Sequence, residues 1–254
     1  MEKTDIRVHE FALFKQDPHM VHGIFPRQGG PLAGSIDLRN PADSGDEPLA
    51  REVCRDLVVK KMGKKPLVFL NQVHGDQIRV WTKNDLNNLM EAGKRVYTAD
   101  AVITDVKGVV LVILVADCQA VMLYDPQKKI IANVHSGWRG SINNIIGKCV
   151  DKMILAFGCQ PEQLLAGISP SLGPCCSEFV NYKDEIPEKL WTYKIKDKPY
   201  FDFWKMSADQ LMDKGVRKEH IENMKICTKC HPQEFYSFRG ENTTDRFACV
   251  ISMA

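Results

Sequence analysis

This sequence lacks any apolar run near the ~20 residues that a membrane-spanning helix requires; the longest, Val109 to Ala116, falls far short. It also lacks an excess of either charge: Lys and Arg number 34 against 32 for Asp and Glu, a net charge of +2. That balance excludes the basic footprint of a nucleic-acid or anionic-membrane binder, so any anionic ligand is expected to be small. No internal repeat, low-complexity tract or Pro/Gly/Ser linker divides the chain, and one domain over residues 1–254 is expected. Residues 1–10 alternate charges with no apolar leader core, which predicts a cytoplasmic protein with reduced thiols. What remains is ordinary globular composition, 44% hydrophobic and 26% charged, enough to fill a sizeable core.

Cysteine is not scarce. The nine, at 54, 118, 149, 159, 175, 176, 227, 230 and 249, form an odd set without an export signal, which argues against a disulfide framework. Most are expected to pack as small hydrophobes. Cys149 fits that role on the stripe Ile142, Ile145, Ile146, Cys149, Val150, Met153, Ile154 and Phe157, whose spacing predicts an amphipathic helix ending at Gly158.

Gly23 to Asp46, rich in Gly and Pro, reads as a long loop before a helix over Glu47–Lys60, and a polar helical stretch is expected around Asp85–Lys94. Strands are expected at Leu67–Leu70, Ile78–Trp81, Ala101–Thr104, Val109–Val115, Leu164–Ser169, Met224–Cys227 and Phe247–Met253, with a helix around Ser207–Lys214. Their irregular alternation with helices predicts an α+β fold, mixed sheets flanked by helices.

The stretch from Ala116 to His135 reads as strand, turn and strand. Asp125-Pro126-Gln127-Lys128 suits a tight reversal, because proline's fixed φ fits the second turn position. Pairing Asp125 with Lys128 and following the ladder back sets Cys118 directly opposite His135, with Cβ atoms about 5 Å apart. A one-residue slip would send the two side chains to opposite faces. A facing thiol and imidazole allow two chemistries: nucleophilic attack by Cys118 with His135 as base, or joint binding of Zn²⁺. His74, after a short strand and before Gly75, is the candidate third ligand. Two His and one Cys leave a fourth position open, as in catalytic rather than structural zinc sites. Simple packing of a buried Cys beside a His is the bland alternative.

Ser136-Gly137-Trp138-Arg139-Gly140-Ser141 follows. Ser141 is expected to cap the amphipathic helix, whose first N–H groups, with Ser136 and the planar fork of Arg139, would form an anion site. Arg27, before Gly29-Gly30, is a second candidate anion contact. Cys227-Thr228-Lys229-Cys230-His231 matches the haem-attachment pattern, which the absence of an export signal sets aside; a redox or zinc-binding use of the Cys pair stays open, beside packing. Cys175 and Cys176 could sit near the site or merely pack.

Phe25-Pro26-Arg27-Gln28-Gly29-Gly30, Gln72-Val73-His74-Gly75, Ala116-Asp117-Cys118 and Val134-His135-Ser136-Gly137-Trp138-Arg139-Gly140 occur in an order that resembles the polyphenol-oxidase or laccase-domain family, associated with purine nucleoside phosphorylase activity. Leu172-Gly173-Pro174-Cys175-Cys176 and Phe235-Tyr236-Ser237-Phe238-Arg239 extend the likeness over nearly the whole chain. The resemblance implies that His74, Cys118 and His135 bind a metal, most often zinc with copper possible, in an α/β/β/α arrangement of mixed sheets and helices. It also implies phosphorolysis of adenosine, inosine or methylthioadenosine to base and ribose 1-phosphate, with adenosine deamination alongside, by a monomer or weak homodimer whose partners are nucleoside and phosphate. Related sequences suggest a Cys–His amide hydrolase that edits peptidoglycan precursors. A copper-binding phenol oxidoreductase and a non-enzymatic zinc-binding domain are further alternatives. Seven histidines are too few for the imidazole-rich copper cluster of a multicopper oxidase. Ile168-Ser169-Pro170 in place of the family's Ile-Gly-Pro, and Asp37 in place of Asn, bear on substrate choice.

Overall fold

The computed structural model describes residues 8–27, 58, 61–92 and 97–254. The loop after Gly30, Asp37, Cys54 and most of the expected Glu47–Lys60 helix lie outside them. The strands are β1 (Met20–Phe25), β2 (Leu67–Val68), β3 (Leu70–Asn71), β4 (Ile78–Trp81), β5 (Tyr97–Thr98), β6 (Ala101–Thr104), β7 (Val110–Val115), β8 (Gln119–Asp125), β9 (Ile130–Ser136), β10 (Leu165–Ile168), β11 (Ile221–Asn223) and β12 (Phe247–Met253). The helices that matter below are α1 (Lys83–Ala92), α2 (Trp138–Ile142), α3 (Ile145–Phe157) and α4 (Phe203–Asp213).

Two mixed sheets carry the fold. One runs β1-β12-β7-β2 and the other β11-β10-β8-β9-β6-β4, while β3 and β5 form a small parallel pair. The apolar strands are buried on both faces, which explains their near-continuous hydrophobic runs. In β7, Leu111 and Ile113 point into the core shared with Val102, Met122, Tyr124 and Ile131 of the six-stranded sheet. Val110 and Val112 face the other way and meet the helical residues Val58 and Met62. The far face of the six-stranded sheet, including Ile103, Val121 and Val134, packs on Ile146, Cys149, Val150 and Met153 of α3 and Leu211 of α4. Among the described residues the layers are therefore sheet on sheet, with α3 and α4 covering the far face of the larger sheet. Each fully buried side chain of the α3 stripe contributes about 1.5–3 kcal/mol, and a charge at Val150 would undo that face. Between the sheets, Asn133 of β9 donates through Nδ2 to the carbonyls of Leu111 (3.1 Å) and Cys249 (2.9 Å), a polar tie across an apolar interior.

Three local expectations are corrected. First, β8 and β9 pair Asp125 with Ile130 and Ala120 with His135, two positions away from the expected ladder. The carboxylate of Asp125 accepts from the N–H groups of Gln127 and Lys128 (both 2.9 Å), and its carbonyl accepts from Lys129 N–H (2.9 Å). Lys129 turns left-handed at φ 57°, so the loop holds Pro126 to Lys129. Second, α3 begins at Ile145, capped by Asn144, which has φ 57° and accepts from Gly147 N–H at 3.1 Å. Ser141 lies inside α2 instead and donates to the carbonyl of Gly137. Third, the strand expected at Met224–Cys227 occurs at Ile221–Asn223, parallel to β10, because Lys225 leaves extended geometry at φ 52°.

Candidate functional site

Asp100 organises the site. It follows β5 and directly precedes β6, and it is fully buried. Its Oδ1 accepts from His74 N–H (2.9 Å) and faces His135 Nδ1 (2.8 Å), while its Oδ2 accepts from Gly75 N–H (2.7 Å). The backbone joins in, with His135 N–H donating to the Asp100 carbonyl at 2.7 Å. One carboxylate thus fixes the His74 loop and the His135 ring, and anchoring Nδ1 leaves Nε2 of His135 turned toward Cys118. Sequence reasoning missed Asp100. The available signal was an acidic residue placed immediately before a buried strand, where an unpartnered carboxylate would be costly.

The His74 loop has a second clamp. Gln72 acts as a substitute strand residue, accepting from Leu114 N–H and donating to the Leu114 carbonyl, both at 2.9 Å. Held at both ends, His74 adopts φ 58°. Its ring meets that of His135 edge to face, with centroids 4.8 Å apart.

Cys118 sits one residue before β8. In the observed register the position across from it is Gly137, and a Cβ there would lie 3.2 Å from Cys118 Sγ and 3.0 Å from His74 Cδ2. Glycine is needed so that sulfur and imidazole can approach. Preceding Cys118, Asp117 has φ 83°; its carboxylate accepts from Thr228 Oγ1 (2.7 Å) and Arg239 N–H (2.5 Å).

The outcome is that one ligand atom each from His74, Cys118 and His135 lies within 4.8 Å of the others. His74 is exposed, Cys118 partly exposed and His135 buried, so the cluster opens on one side. Burial pushes the Cys118 thiol up, but the His135 and His74 imidazoles outweigh it and bring the group down to about 6. Burial also opposes charge on His135, yet the Cys118 sulfur and Asp100 raise it to about 9. Each of the two groups thus favours the charged form of the other. The donor set fits a borderline-soft divalent metal: one thiolate, two imidazoles, a carboxylate behind one of them and an open face.

The other expected residues are distributed differently. Arg139 is exposed, with its guanidinium 4.3 Å over the Trp138 ring. Ser136 is buried, its hydroxyl 3.0 Å from that of Ser141. Arg27 lies over the Tyr236 ring (4.4 Å) and donates to Glu241 (2.7 Å) and the Pro232 carbonyl (2.6 Å). It ties β1 to the segment around residues 232–241.

Comparison with known proteins gives a consistent picture. Residues 21–254 match the family model described as multi-copper polyphenol oxidoreductase laccase. The mouse protein named purine nucleoside phosphorylase LACC1 is 31% identical over 234 residues, covering 86% of this chain and 52% of that one. The chain thus spans about half the length of that relative. A purine nucleoside phosphorylase from Xylella fastidiosa strain 9a5c is 32% identical over 218 residues, 82% of this chain and 80% of its own. Among solved structures, the Bacillus licheniformis hypothetical protein YfiH superposes with a TM-score of 0.79 at 24% identity, covering 92% of this chain and 93% of that one.

Proposed function

The chain belongs to the multi-copper polyphenol oxidoreductase laccase family, and from that membership we propose that it is a purine nucleoside phosphorylase acting at His74, Cys118 and His135. Its substrates would be adenosine, inosine or methylthioadenosine, with the ribosyl group passing to inorganic phosphate and the base leaving. The observation that carries the reading is the open-sided convergence of one thiol and two imidazoles on the carboxylate of Asp100, in a chain whose relatives bear that name.

A zinc or copper ion held by the three residues would supply Lewis-acid polarisation of a substrate oxygen. Asp100 holds the His135 ring by Nδ1 and fixes the backbone that presents His74, so the His135 imidazole and the His74 loop are oriented before substrate arrives. Arg139 is the candidate phosphate ligand: exposed, braced on Trp138 and presenting a planar fork of donors. Ser136 and Arg27 contribute to anion binding only by giving up their bonds to Ser141 and Glu241. Deamination of adenosine is the companion activity. No helix among the described residues is long and apolar enough to cross a membrane; the proposed setting is the cytoplasm.

A Cys–His hydrolase is the second reading, favoured by the lowered Cys118 thiol beside a basic imidazole. The multicopper oxidase reading finds no further imidazole cluster among the described residues: His9 bonds Glu234, His22 accepts from Phe11 N–H and His231 bonds the Cys227 carbonyl.

The test is a phosphate-dependent assay of base release from the three nucleosides, on wild type and Cys118→Ala. Wild type should release base only with phosphate, and the variant should lose activity by a factor of about 100 or more, equivalent to roughly 3 kcal/mol of barrier. Inosine or hypoxanthine from adenosine reports deamination. No release by wild type, or full activity in the variant, overturns the reading. Amide cleavage that survives metal chelation would favour the hydrolase.

A further inference from the structure

Four cysteines outside the His74–Cys118–His135 site converge at a second place. Cys175 and Cys176 lie within a turn closed by Cys176 N–H donating to the Gly173 carbonyl at 2.9 Å, and Cys227 and Cys230 bracket a second turn in which Cys230 N–H donates to the Cys227 carbonyl at 3.2 Å. The two segments run side by side, with Ser171 bridged to Cys227. The four sulfurs all lie within 4.8 Å of one another; Cys175–Cys230 is 3.7 Å and Cys176–Cys230 is 3.5 Å.

From Cys175, Cys176, Cys227 and Cys230 we infer a structural binding site for one zinc ion, distinct from the catalytic cluster. Four thiolates about 2.3 Å from a tetrahedral zinc have sulfur–sulfur edges of about 3.8 Å, close to the observed spacings. A disulfide needs about 2.05 Å between sulfurs, and all eight described cysteines are unbonded. An iron–sulfur cluster would spread the four thiolates over separate irons, whereas this spacing suits a single ion. A closed four-sulfur set, with no position left for substrate, is the structural rather than the catalytic type.

The surroundings fit an anionic thiolate centre. Gly173 N–H donates to Cys227 Sγ at 3.3 Å, the bond that stabilises a coordinated thiolate. Gly173 itself has no room for a side chain, since a Cβ would lie 3.0 Å from Cys227 Cβ and 2.8 Å from Trp204. Lys229 lies within the turn between two of the ligands. The site also has structural reach: Thr228, next to Cys227, donates to Asp117 at 2.7 Å, and Asp117 holds the left-handed turn that delivers Cys118. An ion at the four sulfurs would therefore fix one end of the segment that carries the catalytic thiol.

The experiment counts metal per chain in protein purified under reducing conditions, by elemental analysis and native mass spectrometry. Wild type should carry one zinc more than the double variant Cys176→Ser/Cys230→Ser, whatever the first site holds. Cys118→Ala leaves the four cysteines intact and should retain one zinc; loaded with cobalt(II), it should show the intense sulfur charge transfer of a four-thiolate site. This second arm decides the matter if the double variant does not fold. Equal metal content in wild type and a folded double variant, or a metal-free Cys118→Ala, overturns the assignment. So does a reductant-sensitive Cys–Cys bond in place of metal. Because none of these readouts requires nucleoside turnover, failure here is distinguishable from failure of the phosphorylase reading.

Discussion

Replacing Asp100 with asparagine tests the organisation of the site most directly. The carboxylate serves three donors, with His74 N–H and His135 Nδ1 at one oxygen and Gly75 N–H at the other. An amide has one acceptor oxygen. Its less costly orientation keeps that oxygen toward His74 and His135 and turns its NH₂ group toward Gly75 N–H, losing one buried bond and opposing two donors. Leaving one buried donor unsatisfied costs about 1–3 kcal/mol. The negative charge behind His135 disappears too, removing part of what makes its Nε2 a good ligand. Loss of a partner of this kind typically costs about 10–100-fold in metal affinity. We therefore expect Asp100→Asn to unfold at lower urea, with stability down by about 2 kcal/mol. In competition against a chromophoric chelator, its zinc affinity at the His74–Cys118–His135 site should fall by at least about tenfold. The four-cysteine site is a built-in control, since its zinc should be unaffected. A variant with wild-type affinity and an unchanged unfolding midpoint would falsify the claim that this carboxylate holds the site together.

Three further outcomes are expected. Gly137→Ala should fold but lose activity and metal affinity, because the new methyl would press on Cys118 and His74; equal activity and metal content would show that the cleft is looser than described. Gln72→Ala removes both bonds to Leu114 and should lower stability by about 1–3 kcal/mol while raising KM or metal dissociation, to be read by urea titration and steady-state kinetics. Burial lowers His22 to about 4, and its neutral ring accepts from Phe11 N–H at 2.7 Å. The unfolded chain, with an ordinary histidine near 6.5, binds the proton first, so stability is full above that pH and is lost as pH falls toward 4. Between pH 7 and pH 5 this amounts to about 2 kcal/mol, which His22→Gln should remove; an unchanged pH slope in that variant would count against a buried neutral ring.

Much of the architecture was legible because buried strands announce themselves. Ile78–Trp81, Ala101–Thr104 and Phe247–Met253 fall where β-branched and aromatic runs place them, and α3 follows its apolar stripe. The hairpin shows where local signals run out. Asp125-Pro126 does open a turn, but the side-chain bonds of Asp125 and the left-handed Lys129 lengthen the loop by two residues. Because the slip is even, no side chain changes face, and Cys118 and His135 still meet. Gly137, rather than His135, stands across from Cys118. Asp100 was not legible, since its partners lie 25 to 35 residues away and no short motif encodes a carboxylate shared by two loops. The convergence of Cys175, Cys176, Cys227 and Cys230 likewise depends on two distant segments running side by side.

The position of β12 between β1 and β7 has a kinetic consequence. Met20 pairs with Met253 and Phe25 with Ala248, so the centre of the smaller sheet joins stretches more than two hundred positions apart. Such a union has to await a long and entropically costly search, which places this protein among slow folders. Until it closes, the apolar rows of β1 and β7 each stand as open edges, inviting association with other chains at just the stage when the molecule is least able to shield them.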